Sequence, residues 1–221
     1  MPRTAVVIVC LPHSTPTDLL VTEATTLLTA ATTATAASPA GHFAVSTRLR
    51  RRHLIQPWQR TAAGGPIRLL DLDHMRASGY RGFLHRWHIW NQVVAGTRPA
   101  QPPWHFWDRA RTDAKRYNMH RARQDYLAQP RITVMRTYNA LPHRLLHLPT
   151  SHLEAFQTGP DGYANLGLLC AVPADGLVTA DGAYRCAPSD RLADQLSYLD
   201  EAQQLLAGLD PRERLVALAC D

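Results

Sequence analysis

The sequence predicts an α/β (α+β) fold: a single mixed sheet that holds both the N-terminal and the C-terminal strand, helices on its faces, and a helical insertion rich in aromatic and histidine residues. Three observations carry this expectation. The chain opens as strand, helix, strand. It closes as helix, strand. Between about residues 73 and 130 the apolar residues recur with a helical period rather than a two-residue one. With 221 residues, 45% of them apolar and 19% charged, the chain is long enough for one α/β domain carrying an insertion, and it is composed like a globular protein.

The elements follow in order. Thr4 to Leu11 reads as a strand, a short β-branched apolar run closed by Pro12. A helix follows over "TPTDLLVTEATTLLTAATTATAA", with Thr17 or Asp18 as its cap and Leu19, Leu20, Thr26, Leu27 and Ala30 at helical spacing. "SPAG" breaks the chain. "HFAVSTRL" alternates Phe43, Val45 and Thr47 and predicts a second strand, and "RRRHLIQPWQRTAAGGP" reads as a basic loop punctuated by Gly64, Gly65 and Pro66. "IRLLDL" predicts a short strand. Asp73 to about Ala95 is expected to be a helix ended by Gly96, "TRPAQPP" an extended link, and Trp104 to about Arg116 a further helix. Asn118 is placed to cap the next helix, which stops at Pro130, and "RITVMRTY" predicts a strand. Asp181-Gly182 marks a hairpin in "LVTADGAYRC". Ser189 is expected to cap a helix with Leu192, Leu196, Leu199 and Leu206 on one side and Gly208 as its stop, and "RERLVALAC" is the final strand.

Charge divides the chain. Residues 1–150 hold twenty basic and seven acidic residues, a net of +13, whereas residues 151–221 hold four basic and eleven acidic, a net of −7. One domain, residues 1–221, is expected, with a basic part over 1–150 and an acidic part over 151–221 that completes the sheet. No acidic residue occurs from Ala24 to Leu70, where Arg48, Arg50, Arg51, Arg52, Arg60 and Arg68 fall. Such a split fits a surface that meets a polyanion, or two parts that neutralise each other. Lys115 is the single lysine against 23 arginines, a bias that a GC-rich genome and a preference for forked phosphate contacts both produce.

Several chemistries are excluded. Glutamate is missing between Glu23 and Glu154, which removes di-iron ExxH pairs and HExxH zinc hydrolases from the histidine-rich region. There is no GxxxxGK[ST], no GxGxxG after a strand and no GxSxG. Cys10, Cys170, Cys186 and Cys220 are far apart and form neither a CxxC pair nor a disulfide pattern. No apolar run approaches a membrane helix, and "AVVIVCL" is too short for a signal sequence, so a cytoplasmic protein without a membrane partner is expected.

The stretch His85–Asp113 holds four of the five tryptophans. On a helical wheel Tyr80, Phe83, Trp87, Trp90 and Val94 form one face, the expected core face, and Arg81, His85, His88 and Gln92 another. His85 and His88 could share a metal, with Asp71, Asp73, His74, His105 and Asp108 as candidates to complete a catalytic or metal-dependent cluster; Asp71, Asp73 and His74 are the best placed of them, and the simpler reading has Asp73 capping its helix. Neither a cofactor nor a bound metal is expected. A second aromatic group, Trp104, Phe106 and Trp107, is followed by Arg109, Arg111, Lys115, Arg116, Arg121 and Arg123. Arginines interleaved with aromatics supply phosphate neutralisation and stacking platforms for a single strand.

The order "VVAGTRPAQPPWHFWDRA", "RARQDYLAQPRI" and "YNALP", over about residues 87–142, resembles uncharacterised proteins of actinobacterial phages and integrated mobile elements. The resemblance implies a habitat and no activity.

These readings lead to an arginine-rich, cytoplasmic nucleic-acid-binding protein, RNA or single-stranded nucleic acid foremost, using Arg48, Arg50, Arg51, Arg52, Arg60, Trp104 and the basic residues from Arg109 to Arg123. Two alternatives stand beside it: a metal-dependent phosphoesterase or nuclease built on the Asp/His cluster, and an interaction or inhibitor module that docks an acidic protein.

Overall fold

A computed structural model describes residues 5–34, 36–45 and 51–220. The fold is α+β, with a mixed sheet that contains both terminal strands. In chain order the elements are β1 (Ala5–Leu11), α1 (Leu20–Ala31), β2 (Ala37–Pro39), β3 (Phe43–Ala44), β4 (Thr61–Ala62), β5 (Gly64–Pro66) and α2 (Leu72–Val93). Then come α3 (Pro103–Thr112), α4 (Met119–Leu127), α5 (Pro130–Ala140), α6 (Leu153–Phe156) and α7 (Pro160–Cys170). The chain closes with β6 (Gly176–Val178), β7 (Tyr184–Cys186), α8 (Leu192–Ala207) and β8 (Arg214–Cys220). These elements form two compact units. The first gathers the described residues of Met1–Gly79, Leu168–Ser189 and Ala193–Asp221, and the second holds Tyr80–Gly167 with Asp190–Leu192.

The first unit is built on the sheet. Its strand order is β2-β8-β1-β6-β7, and β5 pairs with β8 beside β2. β1 and β8 run antiparallel over their full length, from Ala5 opposite Cys220 to Leu11 opposite Arg214, while β1 and β6 are parallel. Val7, Val9 and Leu11 join Val216, Leu218 and Cys220 and the buried side of α1, Leu20, Ala24 and Leu28, in one cluster. The alternate residues Ile8, Cys10, Leu215 and Ala217 are buried as well. Both faces of the central pair are therefore covered, which explains why these strands read as continuous apolar runs rather than as alternating ones.

Local chemistry accounts for several differences from the sequence expectation. Neither Thr17 nor Asp18 caps α1; the Thr17 hydroxyl instead accepts from Arg214 at 3.0 Å. The threonines of α1 are tolerated because Thr26 and Thr29 donate back to the carbonyls of Thr22 and Thr25. "SPAG" is not a simple break: Ala37–Pro39 pairs with β8 as an edge strand, a position in which proline is tolerated. "GGP" is likewise a strand, since Gly64 brings β5 against the backbone of β8. "IRLLDL" is a 3₁₀ turn over Ile67–Leu69, followed by a single bridge from Leu70 to Val45. The expected strand over 42–49 is seen as β3 and the bridge at Val45, and residues 46–49 lie outside the described residues. The hairpin β6–β7 turns at Gly182, which takes φ +84°. α8 begins at Leu192 rather than at a Ser189 cap; Ser189 instead hydrogen-bonds Asp194. Its buried side is Tyr198, Leu199, Ala202 and Leu206, and Leu196 is exposed.

The second unit is helical. Its aromatic centre stacks Phe156 on Trp90 at 5.0 Å and on Tyr163 at 4.2 Å between ring centroids, with Phe83 4.8 Å from Tyr163. The wheel drawn from the sequence holds: Trp90 and Val94 are buried and Phe83 and Trp87 half-buried, while Arg81, His85, His88 and Gln92 are exposed. "RITVMRTY" is not a strand but most of α5. Pro130 sits at its first turn after an extended Gln129, and Ile132 and Met135 are fully buried one turn apart. Asn118 caps α4 by accepting from Arg121 N at 2.9 Å, as its position in the sequence predicts. The helices α6 and α7 have no counterpart in the sequence expectation.

Three side-chain amides tie the loops of this unit down. Gln157 both accepts from Ala100 N and donates to Ala100 O, Gln129 does the same for Gln101, and Asn139 for Leu148. Each imitates a paired strand where no strand is present, and at the buried Ala100 and Leu148 it satisfies backbone groups that burial would otherwise strand.

His42 gives the first unit a pH dependence. Its Nε2–H donates to Val172 O at 3.1 Å and its ring sits edge-on to buried Phe43. Burial lowers its pKa below the usual 6.5, outweighing the carbonyl that favours the charged ring. The folded state thus prefers neutral imidazole. The contribution to stability is complete above pH 6.5 and is lost as the pH falls through the folded value. Urea midpoints followed by circular dichroism should drop between pH 7.5 and pH 5.5. H42Q, which keeps a donor but cannot titrate, should show a smaller drop; an equal drop in both would assign the effect elsewhere.

Candidate nucleic-acid interface

Within the acid-free stretch, residues 54–64 fold as an irregular hairpin. Leu54 and Ile55 are buried at its root, where Ile55 N donates to Gly64 O and Ala63 N donates to Ile55 O, both at 2.8 Å. Farther out, Trp58 and Thr61 exchange both backbone hydrogen bonds, 2.9 and 2.8 Å, around Gln59 and Arg60. Gln56 and Gln59 hold φ of 42° and 49°, a left-handed conformation that non-glycine residues adopt only where the surroundings impose it. This backbone presents Trp58, 72% exposed, at the tip.

Basic residues lie close to that tip along the chain. Arg51 Nη2 donates to Pro57 O at 3.0 Å and so braces the turn beneath the indole. Arg52 is exposed, with its Nε donating to His53 Nε2 at 3.3 Å, and Arg60 is exposed beside Trp58. Arg48 and Arg50 lie outside the described residues. An exposed indole on a braced turn, with cations close by and no carboxylate in the same stretch, has the parts of a stacking platform for an unpaired base. Sequence reasoning favours the tryptophans of the aromatic stretch and misses Trp58. The usable signal is its setting, "QPWQR": a lone tryptophan between proline and arginine, with no periodicity that would bury it.

Trp104 is engaged instead. It is half-buried, its Nε1–H donates to Glu154 Oε2 at 3.0 Å, and the Arg191 guanidinium lies 5.1 Å from its ring centroid. Phe106 and Trp107 pack around Ala110, Tyr117 and Ala122. The basic residues behind them do reach solvent: Arg109, Arg111, Lys115, Arg116, Arg121 and Arg123 are all exposed on α3, α4 and the turn between them. Arg109 and Arg121 sit over the buried Tyr117 ring, at 4.3 and 5.8 Å, which holds their forks in place. Arg111 shares Asp108 with Arg191. The second unit thus offers a basic surface of its own.

The Asp/His residues are occupied locally. Asp71 caps α2 by accepting from His74 N at 3.1 Å, the role the sequence assigns to Asp73, while Asp73 pairs with Arg76 at 3.0 Å. His74 Nε2 is 3.3 Å from Ser78 Oγ. His85 and His88 belong to the second unit and are exposed. Among the described residues no three His, Cys, Asp or Glu side chains converge where they could hold a metal ion. Also among the described residues, no helix is long and apolar enough to cross a membrane.

Comparisons with protein-family models, with curated proteins and with solved structures find no match to this chain.

Proposed function

We propose that this chain binds single-stranded nucleic acid, RNA foremost, in the cytoplasm, with Trp58 stacking on a base and Arg52 and Arg60 contacting the flanking phosphates. The observation that carries the reading is the 72% exposure of Trp58 at the tip of a braced, strained turn inside a stretch with no acidic residue. A large aromatic ring is held in water there, on a turn braced by Arg51. The exposed arginines of α3 and α4 add a second phosphate-binding surface. A phage or mobile-element setting, implied by the resemblance over residues 87–142, suits a protein that meets nucleic acid.

The test is the affinity for short single-stranded and duplex oligonucleotides at several salt concentrations. W58A should cost roughly 1–3 kcal/mol on single strands and little on duplex, because a paired base cannot leave its stack at no cost. Replacing Arg52 and Arg60 together by alanine should weaken binding to all sequences alike and lower the logarithmic salt slope by about 0.7 for each phosphate that is no longer neutralised. Absence of binding at low salt, or affinity indifferent to W58A, overturns the reading.

A further inference from the structure

The second unit contains a cavity of about 370 Å³ beside the aromatic centre, within the size range of small-molecule sites. Half-buried Trp87 supplies a flat apolar wall backed by the buried Trp90 and Phe156, and Asn91, Thr97 and Arg131 supply polar groups. The walls are fixed before anything binds. Trp87 Nε1–H donates to Phe156 O at 3.0 Å, and Phe156 lies parallel to Trp90, 5° between their planes. The rim is fixed too, by the contacts of Thr97 and Ala100 to Arg131 and Gln157.

Arg131 is the informative residue. Its Nε–H and Nη2–H grip Thr97 at Oγ1 and O, 3.1 and 2.9 Å, and its Nη1–H donates to Gln157 Oε1 at 2.9 Å. All three acceptors are neutral. The guanidinium lies 5.4 Å from the Trp90 ring centroid, burial lowers its pKa, and among the described residues no carboxylate pairs with it. Tethering a loop needs no charge, since neutral amides do it at Ala100, Gln101 and Leu148 in this same unit. A partly desolvated cation without a counter-charge is costly, and an anion in the adjoining cavity would offset that cost. The guanidinium keeps two N–H groups beyond the three already used, enough for one oxyanion.

We infer that this cavity binds a small planar organic anion: a flat ring lying against Trp87 and one carboxylate or phosphate group on Arg131. The inference is independent of the hairpin around Trp58.

Titration calorimetry with 2-naphthoate, its neutral counterpart 2-naphthamide and adenosine 5′-monophosphate tests it, together with the indole N–H signals of the five tryptophans in ¹H–¹⁵N spectra. The naphthoate should bind at least tenfold more tightly than the amide and shift the Trp87 and Trp90 signals while leaving that of Trp58 in place. A95W, which fills the rim from an exposed position without touching Arg131, should abolish binding. R131K, which keeps the charge and loses the fork, should weaken it tenfold or more. Tighter binding of the nucleotide would assign the acid group as a phosphate, and tighter binding of the naphthoate as a carboxylate. Equal affinity for acid and amide, shifts that survive A95W, or no binding of either anion would overturn the proposal.

Discussion

Replacing Phe156 by alanine is expected to cost the helical unit about 4 kcal/mol, the range found when a fully buried phenylalanine is removed from a core. Phe156 is inaccessible to solvent and lies between two large rings, Trp90 at 5.0 Å and Tyr163 at 4.2 Å. Its removal leaves both rings facing a void; Trp90 carries the Arg131 guanidinium 5.4 Å from its ring centroid, and Tyr163 is held by its hydrogen bond with His152 at 2.9 Å. The measurement is urea unfolding followed by tryptophan fluorescence. Trp87, Trp90, Trp104 and Trp107 all belong to this unit, whereas the remaining tryptophan, Trp58, is already exposed. The signal therefore reports the helical unit. F156L, which keeps most of the volume, should lose clearly less. A midpoint unchanged in F156A would mean that the aromatic stack does not hold this unit together.

The second large effect is expected in the sheet unit. G64A should cost about 3 kcal/mol, at the upper end of the usual penalty for overpacking. A Cβ on Gly64 would stand 2.2 Å from Leu215 O and 2.9 Å from Val216 Cα. Both are backbone atoms of the central strand β8, so no side chain can rotate away and β5 must separate from it. Ile55 would follow, because its N–H donates to Gly64 O at the root of the Trp58 hairpin. A lower urea midpoint by circular dichroism and weaker oligonucleotide binding should therefore appear together. Wild-type stability in G64A would show that β5 is not held against β8 as described.

Where the chain carries its own local code, the sequence sufficed. The apolar runs of β1 and β8 announce a pair buried on both faces; the spacing of Phe83, Trp87 and Trp90 sets the inner face of α2, continued by Val94 just past its end; Asn118 and Gly182 mark a cap and a turn through their own backbone chemistry. These features depend on residues within a few positions of one another, and the physics that produces them acts at that range. Other features are decided by partners far along the chain. α5 is β-branched enough to read as a strand, and it is helical because Ile132 and Met135 bury on one side. β2 and β5, broken by proline and glycine, become strands only because β8 offers an open edge to each. Neither Asp71 nor Asp73 carries a mark that says which will cap α2. The candidate sites depend most on tertiary structure. Composition placed the arginines near residues 48–60 and 109–123, but exposure decides which aromatic accompanies them. Glu154 and Arg191, 50 and 87 positions beyond Trp104, take up that indole, while the turn braced by Arg51 holds Trp58 in solvent. A side chain's accessibility is a property of what the rest of the chain packs against it, and no stretch of sequence states it alone.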